Sequence, residues 1–483
     1  MMNISLLSLE LSVVLLGLAL LLVDLWLPAE RKRWLGYIAA AGLALLFLGS
    51  VTGIGPGSVE GTAFGNMFVQ DALSLFFKRF FLLAGALVLV MAVEFSDRIA
   101  AGVSEYYALM LFALAGMLFA SSANNFALLF VSLELITVTF YVLTSFQRAR
   151  LFSLEAGVKY LIIGALSTAF TVYGIALVYG TTGHLDFDEL SRVTPDLAGN
   201  TVFLFGLLFV MTGLGFKIAA FPFQIWAPDV YQGAPSPTTA FLAIGSKAAG
   251  FSLLLRVLFS AAPAIAEQWE NLLITVSAVT ILYGNLCALP QRNVKRLLGY
   301  SSIAHAGYLL LGVAALNDAG RSAVLFYLAG YLFTLAAAFS VISVVLRHLE
   351  TEDISGLAGL SGRSPLLAGT MAVAMVSLAG IPPLAGFVGK FFLLKAVIER
   401  GAENTAYYWL TFIALAGVVM SLYYYFNVIR AMYWSSATDN SAIPVSRPMK
   451  WVICACIAGI FYVGLFPGRL FDIASAAVLV FHH

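Results

Sequence analysis

Residues 213–250 read GLGFKIAAFPFQIWAPDVYQGAPSPTTAFLAIGSKAAG. The stretch opens in an apolar helix carrying one lysine, Lys217, and meets Pro222 a turn and a half later. A proline inside a helix has no N–H to donate and clashes with the carbonyl four residues back, here that of Ile218. Pro228, Gly233, Pro235 and Pro237 follow before a second apolar helix starts with its own single lysine, Lys247. Within a bilayer, non-helical backbone survives only where protein or a wet cavity satisfies it. Ionisable groups at that depth are costly and point to function. A broken helix with a buried cation on each flank reads as part of an ion pathway.

Composition agrees with a membrane setting. Of 483 residues, 61% are hydrophobic and 11% charged, which is too apolar for a soluble globule and enough for many spans of about 20 residues. The class is an all-α polytopic membrane protein, with the lipid bilayer as its first partner. A net charge of +1 and the lack of a long basic run give no sign of nucleic acid binding. Cys287, Cys454 and Cys456 lack the spacing of a zinc or iron–sulfur site and read as small apolar filler. There is no GxGxxG or Walker loop. No metal ligand, cofactor-binding residue or redox centre is expected in this chain.

Apolar runs predict about fourteen spans, near 4–27, 34–52, 70–95, 105–121, 124–146, 153–180, 200–225, 238–260, 271–289, 297–316, 321–346, 365–398, 405–433 and 450–470. The first has no basic residue before it and Arg31-Lys32-Arg33 after it. That is the reverse of a secretory signal, so it reads as a retained span with its N-terminus outside. Alternation from there puts Arg31, Lys32, Arg33, Arg98, Arg148, Arg150, Arg292, Lys295, Arg296, Arg347, Arg363, Arg447 and Lys450 inside. Only Arg192, Arg321, Arg400 and Arg469 fall outside. Thirteen against four satisfies the positive-inside rule, and an even span count returns the C-terminus to the outside. The acidic stretch 181–200 reads as a solvated outer loop, and His482-His483 as a tail.

The break at Pro222 has a counterpart five spans later at Pro382 and Pro383, in SLAGIPPLAGFVGKFFLLKA, with its own lysine, Lys390. An odd separation inverts the second copy. Inverted repeats with paired broken helices are the usual build of secondary ion transporters. The expected units are 1–104, an N-terminal three-helix segment; 105–260 and 271–434, the two five-helix repeats; and 435–483, a last helix and tail.

Glu134 lies in the middle of the span FALLFVSLELITVTFYVL, where a lone carboxylate costs about 3 kcal/mol or more. Lys159, early in the next helix, is its nearest candidate partner along the chain. The bland alternative is a buried ion pair that only joins two helices, a weak form of glue. Lys217 and Lys247 lie too deep to snorkel, and both repulsion and lost hydration make their charged forms costly. Glu134 at about 5 Å would return roughly 3 kcal/mol at an effective dielectric near 20. Small changes in separation would then load or release a proton. His305, in GYSSIAHAGYLL, suits a proton relay or a hydrogen-bonded core position equally. Arg256, Lys395 and Arg430 lie toward span ends and are expected to snorkel. Lys78 and Arg79 sit deeper, near Asp71, as candidates to pair with lipid or a neighbouring subunit.

GFKIAAFPFQIWAPDVYQGAPSP, RLLGYSSIAHAGYLL and SLAGIPPLAGFVGKF together closely resemble the antiporter-like membrane subunits of the respiratory proton-pumping NADH:quinone oxidoreductase, complex I, and most of all its N-type branch. The L-type branch carries a long extra lateral helix for which this length leaves no room. The resemblance implies fourteen helices, two inverted five-helix repeats, and breaks in the seventh and twelfth. It implies a bacterial inner-membrane subunit that moves protons among further membrane-arm subunits, including other antiporter-like ones. Electrons then pass from NADH through FMN and Fe-S clusters to quinone in those partners. It also implies a proton route through Glu134, Lys159, Lys217, Lys247, His305 and Lys390. Gln224 departs from the family's PFHxW wording, where histidine is frequent. A cation/proton antiporter subunit or a related redox complex would share these features. A purely structural subunit would need no titrating groups, and a quinone site in this chain is a weaker third idea.

Overall fold

The computed structural model describes all residues except 1–2, 54, 56, 58, 100–101, 350, 437–440 and 483; of the terminal histidine pair read as a tail, His483 lies outside the described residues. The helices are α1 (Ser8–Asp24), α2 (Arg33–Thr52), α3 (Ala72–Phe95), α4 (Val103–Ser121), α5 (Phe126–Thr144), α6 (Leu151–Thr182), α7 (Phe187–Val193), α8 (Thr201–Ile218), α9 (Trp226–Gly233), α10 (Ser236–Phe241) and α11 (Lys247–Arg256). They continue as α12 (Glu270–Ala288), α13 (Val294–Ala314), α14 (Asp318–His348), α15 (Leu360–Arg363), α16 (Pro365–Ala379), α17 (Ala385–Arg400), α18 (Ala406–Trp434), α19 (Arg447–Leu465) and α20 (Pro467–Val478). A π-helical turn, Leu242–Ser246, joins α10 to α11 into one span.

Among the described residues, thirteen helices are long and apolar enough to cross a bilayer. The remaining expected span, 365–398, is divided into α16 and α17, each too short to cross alone, and α17 also carries Lys390, Lys395, Glu399 and Arg400. Both expected interruptions are present. Ile218 ends α8, Ala219 turns with φ of 59°, and helix resumes at Trp226. Ala379 ends α16, Gly380 turns with φ of 86°, and helix resumes at Ala385. Pro222, Pro382 and Pro383 lie in the gaps, where their missing N–H costs no helical bond. Buried backbone must still be satisfied. Trp226 Nε1 donates to the Phe216 carbonyl at 3.0 Å, and Phe221 N to Thr280 Oγ1 at 3.0 Å. At the second break Gly386 N donates to Ser377 Oγ at 3.3 Å.

Helix starts follow from capping side chains. Asn125, Asn200, Asn293 and Asn317 accept backbone N–H groups at the heads of α5, α8, α13 and α14. Asp71 and Ser74 form a reciprocal capping box on α3. A small antiparallel hairpin unforeseen in the sequence, β1 (Gly61–Ala63) with β2 (Phe68–Gln70), covers this end of the bundle. The span α10–α11 is wholly buried and α13 and α14 nearly so, whereas α1, α2, α6 and α19 keep broad apolar faces outward. Both breaks pack on the central helices, α9 on α13 and α17 on α14.

Three cations end elsewhere than expected, the first being Arg79, which donates within the chain to the Ser50 carbonyl on α2 at 2.8 Å. Arg256 does not snorkel: it is 2% exposed and donates to both Asp71 oxygens at 2.8 and 3.0 Å. The Asp71 carboxylate, held at the α3 cap, meets it before it reaches the surface. Lys78 finds its partner within the chain rather than in lipid or a neighbour, 2.7 Å from Glu10 on α1. Lys395 does reach out, 61% exposed beside Glu399.

Candidate functional site

Lys217 occupies the last turn of α8, the negative end of that half-helix dipole. Its Nζ donates to Thr137 Oγ1 on α5 at 2.9 Å, and the Thr137 hydroxyl donates to the Leu133 carbonyl at 2.6 Å. One turn earlier on α5, Glu134 accepts from Thr168 Oγ1 at 2.8 Å. Glu134, Thr137, Thr168 and Lys217 line one cavity of about 20 Å³, room for a single water. The carboxylate and the ammonium therefore face each other with a threonine hydroxyl bound to each.

Lys159 lies elsewhere. Its Nζ is 2.7 Å from Glu155 and 2.7 Å from Asp229, on a side chain 42% exposed. Asp229 is also held by Arg296 at 2.5 Å. Glu134 meets α6 at Thr168, nine residues beyond Lys159 and so about 14 Å along the axis. Proximity in sequence misidentified the partner, because Lys159 and Glu134 lie at different depths.

Gly250 on α11 packs against α8 beside Lys217: a Cβ there would come within 2.7 Å of Ile218 Cγ2 and 3.3 Å of Lys217 Cγ, so only glycine lets the two helices approach this tightly. Lys247, one turn earlier on α11, donates to the Ser302 carbonyl at 2.5 Å and to its hydroxyl. Tyr231 on α9 shares that hydroxyl at 2.9 Å. On α13, beside Ser302, Ser301 Oγ lies 2.5 Å from Tyr425 OH, which is 3.0 Å from His305 Nε2. His305 Nδ1 bonds Tyr327 OH on α14. His305 is thus a two-sided hydrogen-bonding group, the geometry both sequence readings required of it.

Lys390, on α17, reaches back across the second break. Its Nζ donates to the carbonyls of Leu378 and Ala379 at 2.8 and 3.3 Å and lies 4.9 Å from the Tyr308 ring centre. These carbonyls end α16, so a cation again occupies a half-helix C-terminus. Gly380 is the second position where glycine is required: its φ is positive and a Cβ would sit 3.4 Å from Nζ. Lys217, Lys247 and Lys390 are each at most 4% exposed, and all three donate to neutral oxygens. Gln224 is 2% exposed, and its Oε1 has no hydrogen-bond partner among the described residues.

Sequence reasoning missed Thr137, Thr168, Tyr231, Ser302, Tyr327 and Tyr425. The signal for Ser302 was its i,i+3 spacing from His305. Thr137 stood at the same spacing from Glu134 on α5, and Tyr231 lay between Lys217 and Lys247 in the opening stretch; Thr168, Tyr327 and Tyr425 sit farther along the chain and carried no signal. Among the described residues no group of three metal-type ligands occurs.

A family profile described as NADH:quinone oxidoreductase/Mrp antiporter, TM, matches residues 123–421. A NADH-quinone oxidoreductase subunit N of Desulforamulus reducens is 39% identical over 479 residues, 99% of either chain. Among solved structures, a chain of respiratory complex I from Thermus thermophilus superposes with a TM-score of 0.79 at 32% identity, covering 97% of this chain and 99% of that one. A chain of the Mrp complex from Dietzia sp. shares the fold, with a TM-score of 0.84 at 20% identity over 100% of this chain and 98% of the other.

Proposed function

The chain belongs to the NADH:quinone oxidoreductase/Mrp antiporter family of membrane proteins, and from that membership we propose that it is the N-type antiporter-like subunit in the membrane arm of a bacterial proton-pumping NADH:quinone oxidoreductase. Its work is proton translocation. NADH oxidation through FMN and Fe-S clusters, and quinone reduction, belong to partner subunits, with further antiporter-like subunits alongside in the membrane. Residues 105–260 and 271–434 act as inverted repeats flanked by 1–104 and 435–483, and both termini face outside the inner membrane.

The observation that carries this reading is the row of buried lysines, each solvated by neutral oxygens: Lys217 and Lys390 at the two helix breaks, and Lys247 directly after the π-helical turn. An ammonium without a carboxylate in contact is free to lose its proton without leaving an unpaired anion behind. Glu134 supplies a field that favours the charged form of Lys217. At about 5 Å and an effective dielectric near 20 that attraction is about 3 kcal/mol, and opening the gap by a few ångströms removes about 1 kcal/mol of it, a sizeable part of the ~2.3 kcal/mol needed to move one charge against 100 mV. Lys217 passes its proton toward Lys247. From there Ser302, Tyr231 and the Tyr425–His305–Tyr327 hydroxyl–imidazole run lead toward Lys390. Lys159 with Asp229 and Arg296 serves at the cytoplasmic mouth rather than at Glu134.

Lys247→Met in the assembled complex tests this in sealed vesicles. NADH-driven proton uptake and quinone reduction should fall together by about tenfold or more, since a tightly coupled machine stalls as one. Wild-type rates of both at wild-type assembly would end the reading.

A further inference from the structure

A second group of buried charges lies outside the row of lysines. Glu10 on α1 and Lys78 on α3 are both 0% exposed, 2.7 Å apart. The hairpin roofs them: Lys78 Nζ lies 4.7 Å from the Phe68 ring centre and donates to Gln70 Oε1 at 2.8 Å. Gln70 is itself tied down by donating to the Val59 carbonyl at 2.6 Å. Glu10 Oε2 has no hydrogen-bond partner among the described residues, although it is wholly buried.

The next residue, Asp71, opens the group to solvent. With Arg256 it lines a cleft of about 620 Å³ whose rim carries exposed Glu60, Asp188 and Arg192. Arg256 is the last residue of α11, nine beyond Lys247 and so about 14 Å along the same helix. The group therefore stands between the interior lysines and water at the end of the molecule that the charge count puts outside. A buried ion pair is poor glue compared with packed apolar side chains, and ionisable groups inside spans are a functional signal by default.

We propose that Glu10 and Lys78 form a proton-holding pair at the outer end of the chain's route, discharging through Asp71 into the cleft beside Arg256; this rests on the proton-translocating reading above. Uptake takes a proton delivered along the route from the interior lysines: an N–H bond of an ammonium there breaks, its proton is relayed, and an O–H bond forms on Glu10 Oε2, converting carboxylate to acid while Lys78 stays an ammonium. Release breaks that bond and passes the proton by way of the Asp71 carboxylate to water. No electrons move, and Arg256 remains a guanidinium that fixes Asp71.

The test uses assembled complex in sealed vesicles bearing Glu10→Gln, Glu10→Gln with Lys78→Met, Asp71→Asn, and Lys217→Ala as reference. Protons moved per NADH oxidised are measured together with redox-induced infrared difference spectra. Glu10→Gln should lower the proton yield and remove a protonated-carboxyl band. The double variant should not restore the yield. Asp71→Asn, which keeps an acceptor for the α3 cap, should slow proton release about tenfold and covers the case in which Glu10→Gln fails to assemble. Recovery of wild-type yield in the double variant, an unchanged carboxyl spectrum, or wild-type release kinetics in Asp71→Asn would overturn the proposal. Stalled Lys217→Ala beside normal outlet variants sinks the outlet alone, whereas normal pumping in Lys217→Ala sinks the parent reading.

Discussion

Glu134 and Lys217 share one small cavity, the carboxylate bound by Thr168 and the ammonium by Thr137. Each charge is thus solvated by a hydroxyl on a different helix, and neither depends on the other to be tolerated. The arrangement permits their separation to change without stranding an unsatisfied group.

Lys217→Ala and Glu134→Ala should each lower coupled proton pumping and quinone reduction together while the complex still assembles. Pumping in inverted vesicles, normalised to assembled complex on native gels, checks this. Normal turnover in both variants would return the pair to a structural role.

Glu134→Gln with Lys159→Met should assemble and remain uncoupled. Lys159 is committed to Glu155 and Asp229, so the two substitutions should act independently, within about 0.5 kcal/mol of additivity. Recovery of pumping close to wild type would mean that the two groups meet in some state of the cycle.

Thr137→Val keeps the shape of α5 and removes the oxygen that receives the Lys217 proton. An unmet buried donor costs about 1–3 kcal/mol, a roughly five- to hundredfold loss in the population of charged Lys217. Proton pumping should drop accordingly with assembly unchanged, and Thr137→Ser should recover most of it. Equal loss in the valine and serine variants would show that packing, not the hydroxyl, matters.

Glu352, in the loop between α14 and α15, anchors Lys295 at 3.2 Å and Arg150 at 3.0 Å. Burial pushes its carboxyl up, while Lys295, Arg150 and Asn293 pull it down further, leaving it below the ordinary carboxylate value. A depressed carboxylate stabilises the fold above its unfolded value, about 4.3, and that contribution is lost as pH falls through the folded value. Glu352→Gln should therefore lower the thermal inactivation temperature of the complex at neutral pH. The gap from wild type should hold down to about pH 4.3 and close only as the medium is acidified below that, and a gap independent of pH would contradict the assignment.

Topology is open to direct measurement. A reporter joined after Pro448, at the head of α19, should lie in the cytoplasm, and one joined after His483 should lie outside. A cytoplasmic signal from the second fusion would mean an odd number of crossings.

Much of this protein was legible in the chain because the bilayer imposes a simple rule. Every crossing must satisfy its own backbone, so spans announce themselves by apolar length and breaks by proline and glycine. Lys217, Lys247 and Lys390 were equally visible, since a cation inside an apolar run has no local excuse. Who meets whom was not visible. Lys159 is close to Glu134 in sequence but about 14 Å from its depth, and Glu10 gave no hint of Lys78 on a helix more than 60 residues away. Arg256 near a span end should have snorkelled, yet Asp71 at the head of α3 caught it. Hydropathy and spacing fix each helix's length and its depth in the membrane. The rotation of each helix and its neighbours come from packing over the whole bundle, where Gly250 sets the approach of α11 to α8 and Gly380 leaves room for Lys390 to reach the α16 carbonyls, and only the tertiary structure decides them.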